Sequence, residues 1–456
     1  MRAMPANTQG NRIGGMMFDY NINFDKYMAA VENCLGIELE GRVVKVVGLI
    51  VEATGLNMGV GSLCSIFRDS GDTIMAEVVG FREDHVLLMP YGDVRGIRAG
   101  SRIVLQEKGP AAEVGDHFLG RVIDGMGNPL DGLGIISDTV SYPLYGKPVN
   151  PMNRRPITKM MDVGVAAINT MIPLGQGQRV AIMAGSGVGK SVLMGMMAKH
   201  TEADVTVIGL VGERGREVKD FVENNLGPAG LKKTVVVAAT SDTPPLVRMR
   251  GAYLATSIAE YFMDQGKHVL LIIDSITRFA MSSRDVGLSA GEPPTNRGYT
   301  SSFFVRIPIL LERAGNFEGK GSITGIYTVL VEGDDLNDPV GHTVRSIVDG
   351  HIVLSRKLAN KGHYPAIEVL ESVSRVARDV STPEHIELRS QTIKLLAAYA
   401  GAEDMISIGA YAKGSNALID QAIALKPKID DLLRQPMDRK DSQAVALNKL
   451  KSVYVP

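Results

Sequence analysis

The 456-residue sequence has no tryptophan, two cysteines, a formal net charge of −1 and only 5% aromatic residues. Each shortage excludes something. Near-zero net charge removes the global basic field that draws a protein to nucleic acid or anionic lipid. No stretch approaches 18 uninterrupted apolar residues, so no membrane-spanning helix is expected. The N-terminus lacks a basic segment followed by an apolar core, so no secretory signal is expected. Cys34 and Cys64 have no metal-site spacing and are expected to be free thiols in a reducing compartment. Together these features point to the cytoplasm. Hydrophobic residues at 45% and charged residues at 22% are those of an ordinary globular chain. The length suggests about three domains of roughly 150 residues.

Against this background one stretch stands out, Ala184-Gly-Ser-Gly-Val-Gly-Lys-Ser191. An apolar run, Val180–Met183, precedes it, and the helical pattern Val192–Lys199 follows. Strand, glycine-rich loop and helix, with Lys-Ser closing the loop, form the arrangement that cradles nucleotide phosphates. Gly185, Gly187 and Gly189 let the backbone curl so that the N–H groups of Gly185, Ser186, Gly187, Val188 and Gly189 face phosphate oxygens. The helix N-terminus adds partial positive charge. Lys190 reaches the terminal phosphates and the Ser191 hydroxyl is a ligand for Mg²⁺. Ala184 replaces the usual first glycine, a mild change at a position that makes a turn.

Phosphate transfer also needs a metal ligand, a group to position water and positive charge. The apolar run Val269–Ile273 ends at Asp274, placed to hold Mg²⁺. Glu213 follows the apolar run Val205–Val211; residues just past strand ends line the crevice of an open parallel sheet, where a carboxylate can polarise water. The alternative is that Glu213 pairs with Arg214 or Arg216 on the surface.

The pattern changes along the chain. Residues 1–20 are rich in Gly, Asn and Met. Phe24, Tyr27, Met28 and Val31 then share one helical face, which either packs on its own domain or docks a partner. From Gly41 to about Leu105, short β-rich runs (Val43–Val51, Ile74–Val79, His85–Met89) predict a small barrel. Phe67, Phe81 and Tyr91 are its candidates for base stacking, too few for a strong nucleic-acid reading. Gly120–Gly132 reads as a turn-rich crossing, and Tyr142–Pro156 as an extended, proline-rich linker. Strands at Arg179–Met183, Val205–Val211, Thr234–Ala238, His268–Ile273 and Ser322–Val331 alternate with helical patterns and predict a parallel sheet covered on both faces. Thr382 is placed to cap a helix beginning at Pro383, and further helices are expected around Asn416–Leu425 and Asp441–Val453.

Ala184–Ser191, Val211–Glu217, Asp274–Met281, Gly291–Pro294, Leu311–Asn316 and Asp349–Arg356 together resemble the hexameric ATPase family of the rotary ATP synthase β subunit and the type III protein-export ATPases, most of all its flagellar branch. His363–Ile367 and Ser372–Val376 extend the likeness, which runs from about Gly41 to about Leu425. It implies an α/β fold with a RecA-like P-loop core, an N-terminal β-barrel and a C-terminal helical domain. The implied boundaries are 1–35 (N-terminal segment with a partner-docking helix), 36–110, 111–378 and 379–456. It implies ATP as substrate and Mg²⁺ as cofactor. Arg375 matches the family's arginine finger, Tyr364 the aromatic against adenine, and Tyr411 a second wall of that pocket. Since Glu213 and Arg375 lie in one chain, a homo-oligomer can build every site, and the resemblance implies a homo-hexamer. Implied partners are a flagellar export regulator, stalk proteins, the export gate, export substrates and chaperones. The implied location is the cytoplasmic face of the inner membrane, in peripheral association with the membrane-embedded export apparatus. Val47–Thr54 and Ile406–Ser415 look more like the flagellar than the injectisome branch, which the catalytic motifs do not separate. A ring-shaped nucleic-acid translocase of the terminator-helicase type is the rival reading, opposed by sparse aromatics and near-zero charge; a non-catalytic ring subunit is opposed by Glu213.

Lys190→Ala is expected to abolish turnover and weaken nucleotide binding, because it removes the charge that meets the phosphates. Parallel ATPase assays and nucleotide titrations check both halves.

Overall fold

The computed structural model describes residues 40–106, 109–146, 149–331 and 338–455. The helix expected around Phe24–Val31, and Cys34, lie outside the described residues. Six antiparallel strands close into a barrel: β1 (Glu40–Val47), β2 (Ile50–Thr54), β3 (Leu63–Phe67), β4 (Thr73–Arg82), β5 (His85–Pro90) and β6 (Arg102–Leu105), in the order β1-β2-β5-β4-β3-β6 with β6 pairing back to β1. The run read as one strand over Val43–Val51 is a hairpin. Gly48, at a φ of 58°, turns the chain between Val47 and Ile50. Strand alternation then does two jobs at once. Val86 and Leu88 of β5 point into the barrel with Val51, Cys64 and Ile66, while Leu87 and Met89 join the core of the following domain.

After the barrel, β7 (Ala111–Val114) pairs with β9 (Val140–Pro143). Between them β8 (Val122–Asp124), in the segment read as a crossing, becomes an edge of the main sheet. A short hairpin, β10 (Met160–Met161) with β11 (Leu174–Gly175), leads into that sheet. Its strands are β12 (Arg179–Ala184), β13 (Val205–Val211), β14 (Thr234–Ala239), β15 (His268–Asp274), β16 (Gly315–Asn316), β17 (Ser322–Leu330), β18 (Gly350–Leu354) and β19 (Ile367–Ser374). The order is β19-β18-β12-β17-β15-β13-β14-β8, parallel except that β19 runs antiparallel to β18 and β16 antiparallel to β17.

Continuous apolar runs form these strands because both faces are covered. On one face Ala181, Met183, Val207, Leu271 and Ile273 pack against helices Pro245–Asp264, Ile276–Ala290 and Ser301–Leu311. On the other, Val180, Ile182, Ile208, Leu270 and Ile272 pack against helix Lys190–His200. The C-terminal helices Pro383–Ser407, Ala417–Leu433 and Gln443–Val453 share this second core through Leu395, Ile429, Leu433 and Leu450. Their starts are encoded locally. Thr382 accepts from the His385 amide at 3.3 Å with Pro383 in the first turn, and Asn416 accepts from the Leu418 and Ile419 amides.

Cys64 is free and fully buried in the barrel, and burial pushes its thiol up to about 12. In a Cys34→Ser background, a disulfide reagent is therefore expected to label Cys64 only on unfolding. Rapid labelling of the native barrel at neutral pH would contradict this packing.

Candidate functional site

Six strand ends, those of β12, β13, β14, β15, β17 and β18, build one cleft. After β12 the chain passes through Gly185–Gly189 and enters helix Lys190–His200. Gly189, the residue before the helix, has a φ of 93°, a conformation side-chain-bearing residues rarely adopt. The loop's amides and the helix start face a cleft of about 750 Å³, lined by Gly185, Ser186, Gly187, Gly189, Lys190 and Ser191 together with Glu213, Arg214, Arg278 and Arg356. Val188, the remaining loop residue, is buried beneath it.

Asp274 ends β15 and is almost fully buried. Its carboxylate accepts a hydrogen bond from Lys190 Nζ and another, at 2.6 Å, from Thr328 Oγ1 on the intervening strand β17. Glu213, just beyond β13, lies 3.6 Å from Lys190 Nζ. The surface pairing considered from sequence does not occur, since Arg214 turns outward to Glu217 at 3.3 Å. One ammonium thus stands between two carboxylates. Burial and the negative charge of Asp274 push the Glu213 carboxyl up to about 7, against the opposing pull of Lys190. A carboxylate near neutrality is matched to accepting a proton from water.

The Ser191 hydroxyl, at the first turn of helix Lys190–His200, and the Asp274 carboxylate offer hard oxygen donors beside the phosphate loop. No cluster of three or more His, Cys, Asp or Glu side chains with metal-binding placement occurs among the described residues. This donor set fits Mg²⁺, which keeps most of its shell as water and phosphate oxygen and needs few protein ligands.

The predicted aromatics divide. The Tyr364 ring stands so close to the loop that a β-carbon on Gly189 would lie 3.5 Å from it, and 48% of the residue is exposed. Tyr411 is not among the residues lining the cleft. Its hydroxyl is tied to the Asn416 carbonyl at 3.0 Å and to Asp420 Oδ1 at 3.1 Å.

Arg375 stands apart. It is exposed and follows β19, whose last residue, Ser374, pairs with Gly350 at the start of β18. The phosphate loop leaves β12 beyond the residue paired with Leu354, at the other end of β18. Five strand residues at about 3.3 Å each put roughly 15 Å of sheet between Arg375 and the loop of its own chain.

Sequence reasoning assigned no role to Arg278, Arg356 or Ser241, which also line the cleft. All three follow strand ends, and the rule that located Glu213 would have found them.

A parallel α/β core with a glycine-rich loop, a strand-end aspartate and a near-neutral glutamate in one cleft defines a P-loop nucleotide-hydrolysing protein. Residues 43–105 match the β-barrel domain and 164–374 the nucleotide-binding domain of the ATP synthase alpha/beta family; 381–452 match the T3SS EscN ATPase C-terminal domain. The chain belongs to the ATP synthase alpha/beta family and is an ATPase of that family. It is 50% identical over 400 residues to the flagellum-specific ATP synthase of Bacillus subtilis, covering 87% of this chain and 91% of that one. It is 46% identical over 443 residues to the flagellum-specific ATP synthase of Salmonella typhimurium, covering 95% and 96%. The solved structure of the assembled ATPase EscN from the enteropathogenic E. coli type III secretion system superposes with a TM-score of 0.86 at 42% identity, covering 91% and 99%.

The raised Glu213 value sets the sign of a pH effect on stability. A folded value above the ordinary 4.5 gives stability that is full below pH 4.5 and lost as pH rises through about 7. Glu213→Gln is therefore expected to raise the thermal midpoint relative to wild type by an increment that grows from pH 5 to pH 8. It should retain ATP binding and lose hydrolysis, because an amide cannot take the proton. Near-normal turnover would overturn this role for Glu213.

Proposed function

We propose that this chain hydrolyses ATP to drive protein export through the flagellar type III apparatus, as a ring of six identical copies in the cytoplasm against the inner membrane. The observation that carries the reading is the separation of two half-sites on one chain. Lys190, Glu213 and Asp274 meet in the cleft, while Arg375 stands exposed at the opposite end of the sheet. A chain built so cannot bring its own Arg375 to its own phosphates, and a head-to-tail ring of copies can. Relatives named flagellum-specific ATP synthase in Bacillus subtilis and Salmonella typhimurium support the flagellar assignment over the injectisome one. An assembled EscN solved together with its central stalk EscO supports a ring with a stalk partner here.

In this reading Gly185–Gly189 cradle the phosphates and Lys190 meets the terminal ones. Ser191 and Asp274 would hold Mg²⁺, which supplies positive charge against the phosphate oxygens. Glu213 takes the proton of the attacking water. Arg375 of the partner subunit neutralises charge developing on the transferred phosphoryl. Tyr364 offers its open face to the adenine, with Tyr411 further out. The domains divide at 36–110, 111–378 and 379–456. No helix among the described residues is long and apolar enough to cross a membrane, in keeping with peripheral association. Of the three candidate aromatics for stacking nucleic acid, Phe81 is open, at 54% exposed, and the other two are engaged. Tyr91 is buried with its hydroxyl on Glu77, and Phe67 lies beneath the Arg102 guanidinium.

Specific activity should rise steeply with protein concentration as rings form. Arg375→Ala should cut turnover by about 10³-fold while leaving ATP binding intact. Specific activity that stays flat down to concentrations where sizing shows only monomer would sink the shared-site reading.

A further inference from the structure

One end of β12 leads into the phosphate loop; at its other end, buried polar side chains gather around the root of Arg375. Gln178, immediately before β12, is fully buried. Its Oε1 accepts from the Gly175 amide at 2.9 Å, and its Nε2 donates to the Asp349 carbonyl at 3.1 Å and to Ser374 Oγ at 3.2 Å. Ser374 donates onward to the Pro173 carbonyl at 2.7 Å. The Asp349 carbonyl accepts a second bond, at 2.9 Å, from the amide of Arg375 itself. Arg179 fixes Asp349 from its other side, with Nε 3.1 Å and NH2 3.2 Å from the two carboxylate oxygens. Gly350 allows this close approach, because a β-carbon there would lie 2.4 Å from the Val373 carbonyl and 3.3 Å from Gln178 Nε2.

The strand ladder alone already pairs β19 with β18, His351 with Val373 and Gly350 with Ser374. The side-chain network goes further and fixes the backbone on both sides of the Ser374–Arg375 bond. Gln178 and Ser374 are buried with their side-chain hydrogen bonds made, and such a pair holds its position rigidly, since displacing either leaves a dry polar group unpaired. The residue leaving it is an exposed arginine whose own cleft lies at the far end of the sheet. We propose that Gln178 and Ser374 are positioning residues for Arg375, setting the direction in which its guanidinium leaves the chain and so where it meets the phosphates held by a neighbouring copy. This rests on the reading of Arg375 as acting across the subunit boundary.

The test uses the full-length protein at ring-forming concentration, with the variants Ser374→Ala and Gln178→Met and, for comparison, Ser372→Ala. Ser372 lies on the same strand, is equally buried, and bonds the Glu368 carbonyl at 2.6 Å and the Val353 amide at 2.9 Å, away from the arginine root. Turnover is measured beside affinity for ADP and for the ADP–aluminium fluoride complex, whose planar fluoride mimics the phosphoryl in flight. Ser374→Ala is expected to lower kcat and fluoride-complex affinity about fivefold to tenfold, the effect of one or two hydrogen bonds, with the KM for ATP and ADP affinity within about twofold. Gln178→Met, which loses three bonds, should do more in the same pattern. Ser372→Ala should lower the thermal midpoint to a similar degree and leave the ratio of fluoride-complex to ADP affinity unchanged. If Ser374→Ala and Gln178→Met shift only the thermal midpoint, or weaken ADP and its fluoride complex equally, the positioning role is wrong. Arg375→Ala runs in parallel: if it keeps turnover and fluoride-complex affinity, the shared-site reading itself fails, and loss in Arg375→Ala alone fails only the positioning role.

Discussion

One part-buried ammonium held between two carboxylates governs the rest of the molecule. Charges removed from water are tolerated only where geometry supplies close partners. Lys190, Asp274 and Glu213 follow or end three different strands, so their meeting requires that β12, β17, β15 and β13 lie in that order and stop at the same level. The register provides this: Asp274 lies beside Leu210 of β13, and Thr328 sits in the next strand to bond its carboxylate. Burial first, and then the negative charge left over where one cation serves two anions, raises the affinity of Glu213 for a proton. The electrostatics that make the cleft awkward to build are those that make it useful.

The same sheet ties the other domains to the cleft. β5 belongs to two cores, with Val86 and Leu88 in the barrel and Leu87 and Met89 in the nucleotide domain. The C-terminal helices pack on the sheet face that also carries helix Lys190–His200. They are tied as well by Glu403, which bonds Lys357 at 2.7 Å and Lys361 at 2.9 Å around the short helix that begins with the cleft residue Arg356. Lys357 lowers the Glu403 carboxyl to about 2, with Lys361 adding to the effect. These lysines are exposed, so the tie weakens as salt rises.

The phosphate loop, the strand-end aspartate and the glutamate past β13 were legible because each is local: a glycine spacing, an apolar run with a charge at its end, a turn. The central strands were legible for the same reason, Val205–Val211 residue for residue. Three things were not. The hairpin inside Val43–Val51 hides because apolar residues continue through a two-residue turn. β8 hides because only three residues, within a segment dominated by turns, pair with β14. The reversal of β19 hides because strand direction is set by what the chain packs against, and no residue type encodes it. Tyr411 matched a family position, yet its hydroxyl binds the start of the neighbouring helix, a contact no spacing predicts.

β12 is six residues long, buried on both faces and hydrogen-bonded on both edges, so it neither bends nor stretches appreciably. The residues Val180–Ala184, roughly 15 Å at about 3.3 Å per residue, fix the distance from the level of Arg375 to the phosphate loop in every copy. In the proposed ring the strand would work as a gauge, each copy laid head to tail transferring the same interval to the next. Closing such a circle makes tolerance a collective property. An error of a few tenths of an ångström in one copy is small within that copy, but repeated by identical neighbours it either accumulates into a gap or is shared equally among all of them.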